Sequence, residues 1–554
     1  MFQRNLGSKV HGPGTPEEME RMHHVAMRSE LVQKEIKRLQ LVEGAEVVCE
    51  PWPYGKDGVN DDERLFQVHP LPKASNKQCY FFLASVDPNK KHSSLNHYAH
   101  PLDFSCVVDG VREEVIRIER LPLTKEFFSS ASDDDVFVPQ PDQEYATDMQ
   151  PSLRQDFKPL HISQPQGVSF TVDYADPEVI SWQKWLFRLT FNYREGPVLR
   201  DVRYDNRPVF YRLSLAEMTV PYGDPRSPYH RKSAYDLGEC GAGATANNLA
   251  LGCDCLGVIK YFDGWINNEK GAPVKMENAI CIHEVDAGIG WKHTNFRNGR
   301  AEVTRARELI IQMIMTIANY EYILCWVLDT AGAIHFETRA TGIMSVVPMK
   351  QGMEHDIPYG IMVAPGVMAP SHQHIFSLRI DPAIDGYRDS AIQYEESVPT
   401  ELHPELNPFG VAYEVRSYPI THSSYLDLDV STNRTVKIIN DKVINPVCGK
   451  PVAYKVICPA TQLQLAHQSS MHYKRGEFAD HHFYFTPQHE DELYPGSDHP
   501  WQSSGGQGLR SWAARGEKLG NSGVVWCQFG FTHNPRLEDW PVMPCEVAIS
   551  SQPD

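Results

Sequence analysis

Leu309-Ile-Ile-Gln-Met-Ile-Met-Thr316-Ile-Ala-Asn319-Tyr320-Glu-Tyr322-Ile-Leu-Cys-Trp-Val-Leu328 is apolar enough to pass for a buried helix. Its β-branched and aromatic content argues otherwise, and the turn residues Asp329-Thr-Ala-Gly332 follow it, so the stretch predicts two strands or one long one. The same texture extends in both directions. Val168-Ser-Phe-Thr-Val172, Phe187-Arg-Leu-Thr-Phe-Asn192, Val209-Phe-Tyr-Arg-Leu213, Ala340-Thr-Gly-Ile-Met-Ser-Val346 and Val524-Val-Trp-Cys-Gln-Phe529 all read as short strands between turns. Strands at this spacing, without repeated helical crossovers, predict a β-sandwich, and no solenoid period is evident.

Before Val168 the pattern differs. Thr15-Pro-Glu-Glu18 supplies an N-cap, a proline at the first helical position and a capping-box glutamate, and helical periodicity then runs to about Leu41. Short strand-like runs follow, Ala45-Glu-Val-Val-Cys49 and Gln78-Cys-Tyr-Phe-Phe-Leu83, separated by turn-rich sequence. The expectation is a mostly β chain: a small α+β domain over residues 1–124, a polar linker over 125–166 with Ser129 to Val136 as its most solvated part, and a large β-sandwich catalytic domain over 167–554.

Composition excludes more than it assigns. Lys+Arg 53 against Asp+Glu 71 gives a net charge of -18, which disfavours binding to nucleic acid or an anionic membrane surface. No run of about 20 apolar residues is present to span a bilayer. The first ten residues lack the apolar core of a secretory signal, and the ending Ser-Gln-Pro-Asp554 is not a Ser-Lys-Leu address, so the expected location is intracellular, cytoplasmic or peroxisomal. Twelve cysteines in a chain of 554 residues do not form a disulfide framework.

Chemistry enters with the histidines. In Ser371-His372-Gln-His374-Ile-Phe-Ser the two imidazoles lie two positions apart, so on a strand they point the same way and can share one ion. His533, in Thr532-His533-Asn534-Pro535, is the third candidate. Three neutral imidazoles with open positions suit Cu(II), with Zn(II) as rival. With 24 histidines in the chain, one His-x-His alone carries little weight; His23-His24 and His481-His482 show the background.

Asn319-Tyr320-Glu-Tyr322, His372-Gln-His374 and Thr532-His533-Asn-Pro, in that order, resemble the copper amine oxidase family. The resemblance runs from about Asp57 to Pro544. It takes in Pro221-Tyr222-Gly223, Tyr235-Asp236-Leu-Gly-Glu239, Gly252-Cys253-Asp-Cys255, Ala279-Ile-Cys281-Ile-His-Glu284, Trp291-Lys-His-Thr294 and Glu538-Asp-Trp-Pro-Val-Met-Pro544. What it implies is copper on His372, His374 and His533, and Tyr320 oxidised to topaquinone, the carbonyl that takes the amine as a Schiff base. Asp236 then corresponds to the proton acceptor, Tyr222 to the hydroxyl that positions the quinone, and Asn319 to the residue that restrains it. Cys255 and Cys281 correspond to a disulfide. The implied activity is oxidation of primary amines by O2 in a homodimer, with turn-rich Asp385 to Pro408 as a candidate intersubunit arm.

Departures from the family pattern are specific. Ala234 stands where some relatives carry an aromatic gate, and Cys240 replaces an aromatic after Leu-Gly-Glu, so a wider substrate channel is expected. A peripheral second cation, Ca²⁺ or Mn²⁺, is implied at Asp381, but Ser522 replaces a carboxylate there. Cys527 stands in place of a common histidine, and both termini look short beside the family. Two other readings are a copper-binding homologue that does not catalyse and a His₃ zinc hydrolase; the second leaves Asn-Tyr-Glu-Tyr unexplained.

Overall fold

In a computed structural model, which describes residues 10–55, 65–66, 78–85, 87, 89–126, 141–350, 352, 357–550 and 552–553, the stretch around Tyr320 is a hairpin of two antiparallel strands, Ala301–Ile317 and Tyr320–Asp329. Ile317 pairs with Tyr320 across a two-residue turn in which Ala318 adopts φ 56°. These strands lie in a six-stranded sheet with Lys260–Asn267, Pro273–Thr294, Ile334–Gly342 and Met543–Ser550. Alternate residues Leu309, Ile311, Met313 and Met315 are fully buried, as are Tyr322, Leu324 and Leu328, so one face of the hairpin forms core.

Facing it is a ten-stranded sheet whose middle strands are Gly523–His533, His372–Pro382 and Arg207–Pro221. His372–Pro382 is buried along nearly its whole length, as expected for a strand covered on both faces. One apolar cluster joins the two sheets, with Met313, Tyr322 and Phe336 from one and Phe376, Val525 and Phe529 from the other. The structure is therefore mostly β with stacked sheets, as expected. Of the predicted strands, Ala340 to Val346 is too long: the strand ends at Gly342, whose φ of 106° turns the chain away.

The N-terminal part packs two helices on a five-stranded sheet around Met22, Ala26, Val32, Phe81, Leu102 and Phe104. Thr15 caps the first helix as predicted, its Oγ1 accepting from the Glu18 amide at 3.1 Å and the Glu18 carboxylate accepting from the Thr15 amide at 3.2 Å. The single helix expected to reach Leu41 is instead two, Pro16–Arg28 and Glu30–Arg38, broken at Ser29 with ψ 130°. An unbroken helix from Pro16 to Leu41 would span about 39 Å. The strands beneath it, of six to nine residues, span only about 20–30 Å. Ser129 to Val136 lies outside the described residues. Among the described residues, no helix is long and apolar enough to cross a membrane.

Candidate metal and redox centre

The strand register brings the histidines together. His372 pairs directly with His533, and His374 with Phe531, so residues 161 positions apart become cross-strand neighbours. Ring centroids of His372 lie 4.8 Å from those of His374 and 4.9 Å from those of His533. All three residues are buried, and one nitrogen from each lies within 4.8 Å of the others.

Hydrogen bonding fixes which nitrogen faces inward. His372 Nδ1 is 2.9 Å from the Pro370 carbonyl and must donate to it, leaving Nε2 as the lone-pair nitrogen, which faces the Tyr320 hydroxyl. His533 Nε2 donates to Asp539 Oδ2 at 3.2 Å, leaving Nδ1. His374 Nδ1 meets the Tyr322 hydroxyl at 3.0 Å, leaving Nε2. His374 Nε2 and His533 Nδ1 are buried and have no partner. Buried polar atoms are rarely left so, and two aimed at one place fit a metal ion. Burial and mutual repulsion push the His372 imidazole down to about 3 and His374 well below its usual range, so both are neutral, the ligating form.

Tyr320 is held at this spot from behind and in front. Its hydroxyl donates to His372 Nε2 at 2.7 Å, beside the proposed ion position. Asn319 is buried; its Nδ2 donates to the Ile343 carbonyl at 2.6 Å, and its own carbonyl accepts from Ile343 N at 2.7 Å. Gly342 makes this closeness possible: a Cβ there would lie 2.5 Å from the Asn319 carbonyl and 3.1 Å from Tyr320 Cα. The Tyr222 ring stacks on His372 at 5.0 Å, and against the raising effect of burial Ser345 lowers the proton affinity of both hydroxyls, Tyr222 through its side chain and Tyr320 through its backbone amide.

Asp236 opens the short helical turn Asp236–Glu239 and is buried. Burial, with Glu239 and Glu217 nearby, raises its carboxyl well above the ordinary carboxylate range, and Tyr322 hydrogen-bonds it. Tyr322 therefore links the candidate base to the ligand His374. The turn is clamped by two buried ion pairs, Glu217 to Arg194 at 2.8 Å and Glu239 to Arg475 at 2.6 Å. Gly238 must remain small, because a Cβ would sit 2.2 Å from Pro500.

The remaining candidates fall elsewhere. Ala234 is buried and pairs with Val220 just before the Asp236 turn, while Cys240 is half-buried just after it. Cys255 and Cys281 face each other with sulfurs 2.9 Å apart, present here as two thiols. Asp381 lies nine residues past His372, buried, with Arg379 Nη1 2.9 Å away; it lines a cavity of about 250 Å³ with Ser522 and Glu490. Cys527 is a buried thiol, raised well above its usual range chiefly by the neighbouring Cys458 and by burial. Sequence reasoning gave no role to Asp539, Tyr322 or Ser345. The first two stand inside quoted motifs, which was the available signal; Ser345 had none.

Comparison with known proteins agrees with this geometry. Residues 172–551 match the model of the copper amine oxidase enzyme domain. The chain is 44% identical to Copper amine oxidase 1 of Aspergillus niger, over 98% of this chain and 79% of that protein. It is 38% identical to the peroxisomal primary amine oxidase of Pichia angusta, over 90% of this chain and 70% of that one. A crystal structure of a copper-containing benzylamine oxidase from Hansenula polymorpha superposes with TM-score 0.92 at 40% identity, covering 99% of this chain and 83% of that one.

Proposed function

This chain belongs to the copper amine oxidase family, oxidoreductases of primary amines, and we propose that Asp236, Tyr222, Asn319, Tyr320 and the three histidines divide that chemistry among them. The overall change takes a primary amine, O2 and water to an aldehyde, ammonia and hydrogen peroxide. The observation that carries the reading is the convergence of three imidazole nitrogens, one of them hydrogen-bonded to the Tyr320 hydroxyl, with Asp236 one tyrosine away.

His372 Nε2, His374 Nε2 and His533 Nδ1 would hold copper. When bound, copper and the topaquinone derived from Tyr320 supply the electron sink and the path of electrons to O2. Asp236 takes the proton from the carbon beside the amine nitrogen onto a carboxylate oxygen, a task helped by its raised affinity for protons. The Tyr222 hydroxyl and the Asn319 backbone fix the Tyr320 ring so that this carbon and the carboxylate meet repeatedly in one geometry. Burial of the surrounding aromatic and aliphatic side chains keeps bulk water from competing. Treating copper-loaded protein with phenylhydrazine tests the reading: a coloured adduct is expected, and its absence would sink the assignment.

Asp381 is a weak cation site. Glu490 lines the same cavity and both Asp381 oxygens lack hydrogen-bond partners, but Arg379 stands 2.9 Å away and Ser522 brings no charge, whereas Ca²⁺ or Mn²⁺ gathers several oxygens, so we assign that pocket no resident ion. A Cys255–Cys281 disulfide is consistent with the contact of the two sulfurs, and counting free thiols before and after reduction would test it. Ala234 and Cys240, on either side of the Asp236 turn, are assigned to the substrate channel. The domain division at about 124 and 166 is supported by the separate apolar core under the N-terminal helices. A homodimer is supported by exposed Leu402, Leu406, Phe409, Val411 and Tyr413 at the tip of the hairpin 391–420. Among amines we favour monoamines over diamines, since the two further carboxylates near Asp236, Glu217 and Glu239, are already paired with Arg194 and Arg475; oxygen uptake with benzylamine against putrescine decides.

A further inference from the structure

Lys232 is the unexplained charge of this molecule. Its side chain is almost wholly buried, and among the described residues no carboxylate forms an ion pair with it. Desolvating an ammonium without such a partner is unfavourable, and burial pulls the Nζ down to about 7. Glu50 lines the same small cavity as Lys232 and, with Asp224, partly opposes this shift, but the groups in contact with the amine are mostly aromatic. Nζ lies 4.0 Å from the centroid of the Trp52 ring, 4.5 Å from Tyr222 and 5.4 Å from Tyr80. Trp52 and Tyr80 belong to the small N-terminal sheet, whereas Tyr222 belongs to the catalytic sandwich.

The amine has one hydroxyl acceptor, Ser345 Oγ. Ser345 is also the residue whose side chain acts electrostatically on the Tyr222 hydroxyl and whose backbone amide acts on the Tyr320 hydroxyl. The backbone closes the same loop, because the Lys232 carbonyl accepts from the Tyr222 amide at 3.4 Å. Trp52 also meets the Tyr222 ring edge-on at 5.8 Å, on a ring that stacks against His372.

We propose that Lys232 is a positioning residue for the Tyr320 chemistry: caged by Trp52 and Tyr80 of the N-terminal domain, its Nζ holds Ser345, and Ser345 holds Tyr222 and Tyr320. The proposal rests on the reading of Tyr320 and Tyr222 given above, and it gives the N-terminal domain a direct part in the active centre. Lys232 touches neither the candidate ligands nor the candidate base; it reaches the centre through Ser345 and through its direct contacts with Tyr222.

The test uses full-length Lys232→Met, Ser345→Ala and the double variant, each loaded with copper. The readouts are copper content, the rate at which hydrazine-reactive absorbance develops, and the absorbance maximum of the phenylhydrazine adduct. Lys232→Met should bind copper like wild type, yet develop the adduct about 10–100-fold more slowly and with a displaced maximum. Ser345→Ala should do the same, and the double variant should be no slower than the slower single one, as expected for residues acting in one chain. In copper-free crystals of Lys232→Met the Tyr222 hydroxyl should have left Ser345. Wild-type rate and maximum in Lys232→Met, or slowing that multiplies in the double variant, overturns the proposal. If Lys232→Met does not fold, Trp52→Leu with Ser345→Ala repeats the test from the cage side, with the same opposing outcomes. Absence of any adduct in wild type would instead count against the Tyr320 assignment itself.

Discussion

The two ends of the strand His372–Pro382 are both buried and both carry ionisable groups, yet they are built in opposite ways. At its start, His372 and His374 join His533 with three ring nitrogens turned inward, two of them without any partner. At its far end, Asp381 is equally buried, but Arg379 lies 2.9 Å away as a covalently tethered cation. Burial is common to both and decides nothing. Unused lone pairs do not separate them either, since both Asp381 oxygens also lack a hydrogen-bond partner; what does is the arginine charge 2.9 Å from Asp381, where among the described residues the three ring nitrogens have no cation of the chain's own in contact.

The largest effects should come from breaking the first end. His372→Ala should lose copper and give no phenylhydrazine adduct, whereas Tyr320→Phe should keep copper by metal analysis and still give none. Amine-dependent peroxide from Tyr320→Phe would remove the cofactor from this residue. Next, Asp236→Asn should form the adduct but lower kcat/KM by about 10²–10⁴-fold. The pH profile carries a sign that can be checked. A raised carboxyl is protonated, and useless as a base, up to a higher pH, so the acid limb of kcat/KM should lie above the ordinary carboxylate range and vanish in Asp236→Asn.

A smaller change is expected one bond behind the ligands. Asp539→Ala removes the acceptor that fixes the His533 tautomer and should weaken copper binding by about 10–100-fold, measured by competition with a chelator. The smallest effect at the copper centre should come from the other end of the strand. Asp381→Asn should leave copper content and adduct unchanged, while stranding the Arg379 charge should lower stability by about 3–5 kcal/mol in denaturant unfolding. Loss of copper in that variant would dissolve the contrast between the two ends.

The sequence made the β-sandwich and the His372/His374 pair legible because both depend on local pattern. Alternation marks strands, and His-x-His marks one face of a strand. His533 could be added only through family resemblance, since nothing local to it announces which strand it will pair with. The helix break at Ser29 escaped because periodicity does not report the length of the sheet beneath. Ser345 and Lys232 escaped for another reason: each acts through contacts between distant segments, and neither residue type is informative alone. Asp539 and Tyr322 sat inside recognised motifs, but their partners became visible only with the register.

The pairing of His372 with His533 also orders events during synthesis. A ribosome making this chain presents His372 and His374 first and the third imidazole only 161 positions after His372. Until the strand Gly523–His533 has been made and has zipped against its neighbour, the nascent chain offers a bidentate, solvent-open pair to any passing metal. The complete three-nitrogen set therefore exists only after this last pairing, so a geometry able to discriminate between ions arises late in the making of the chain.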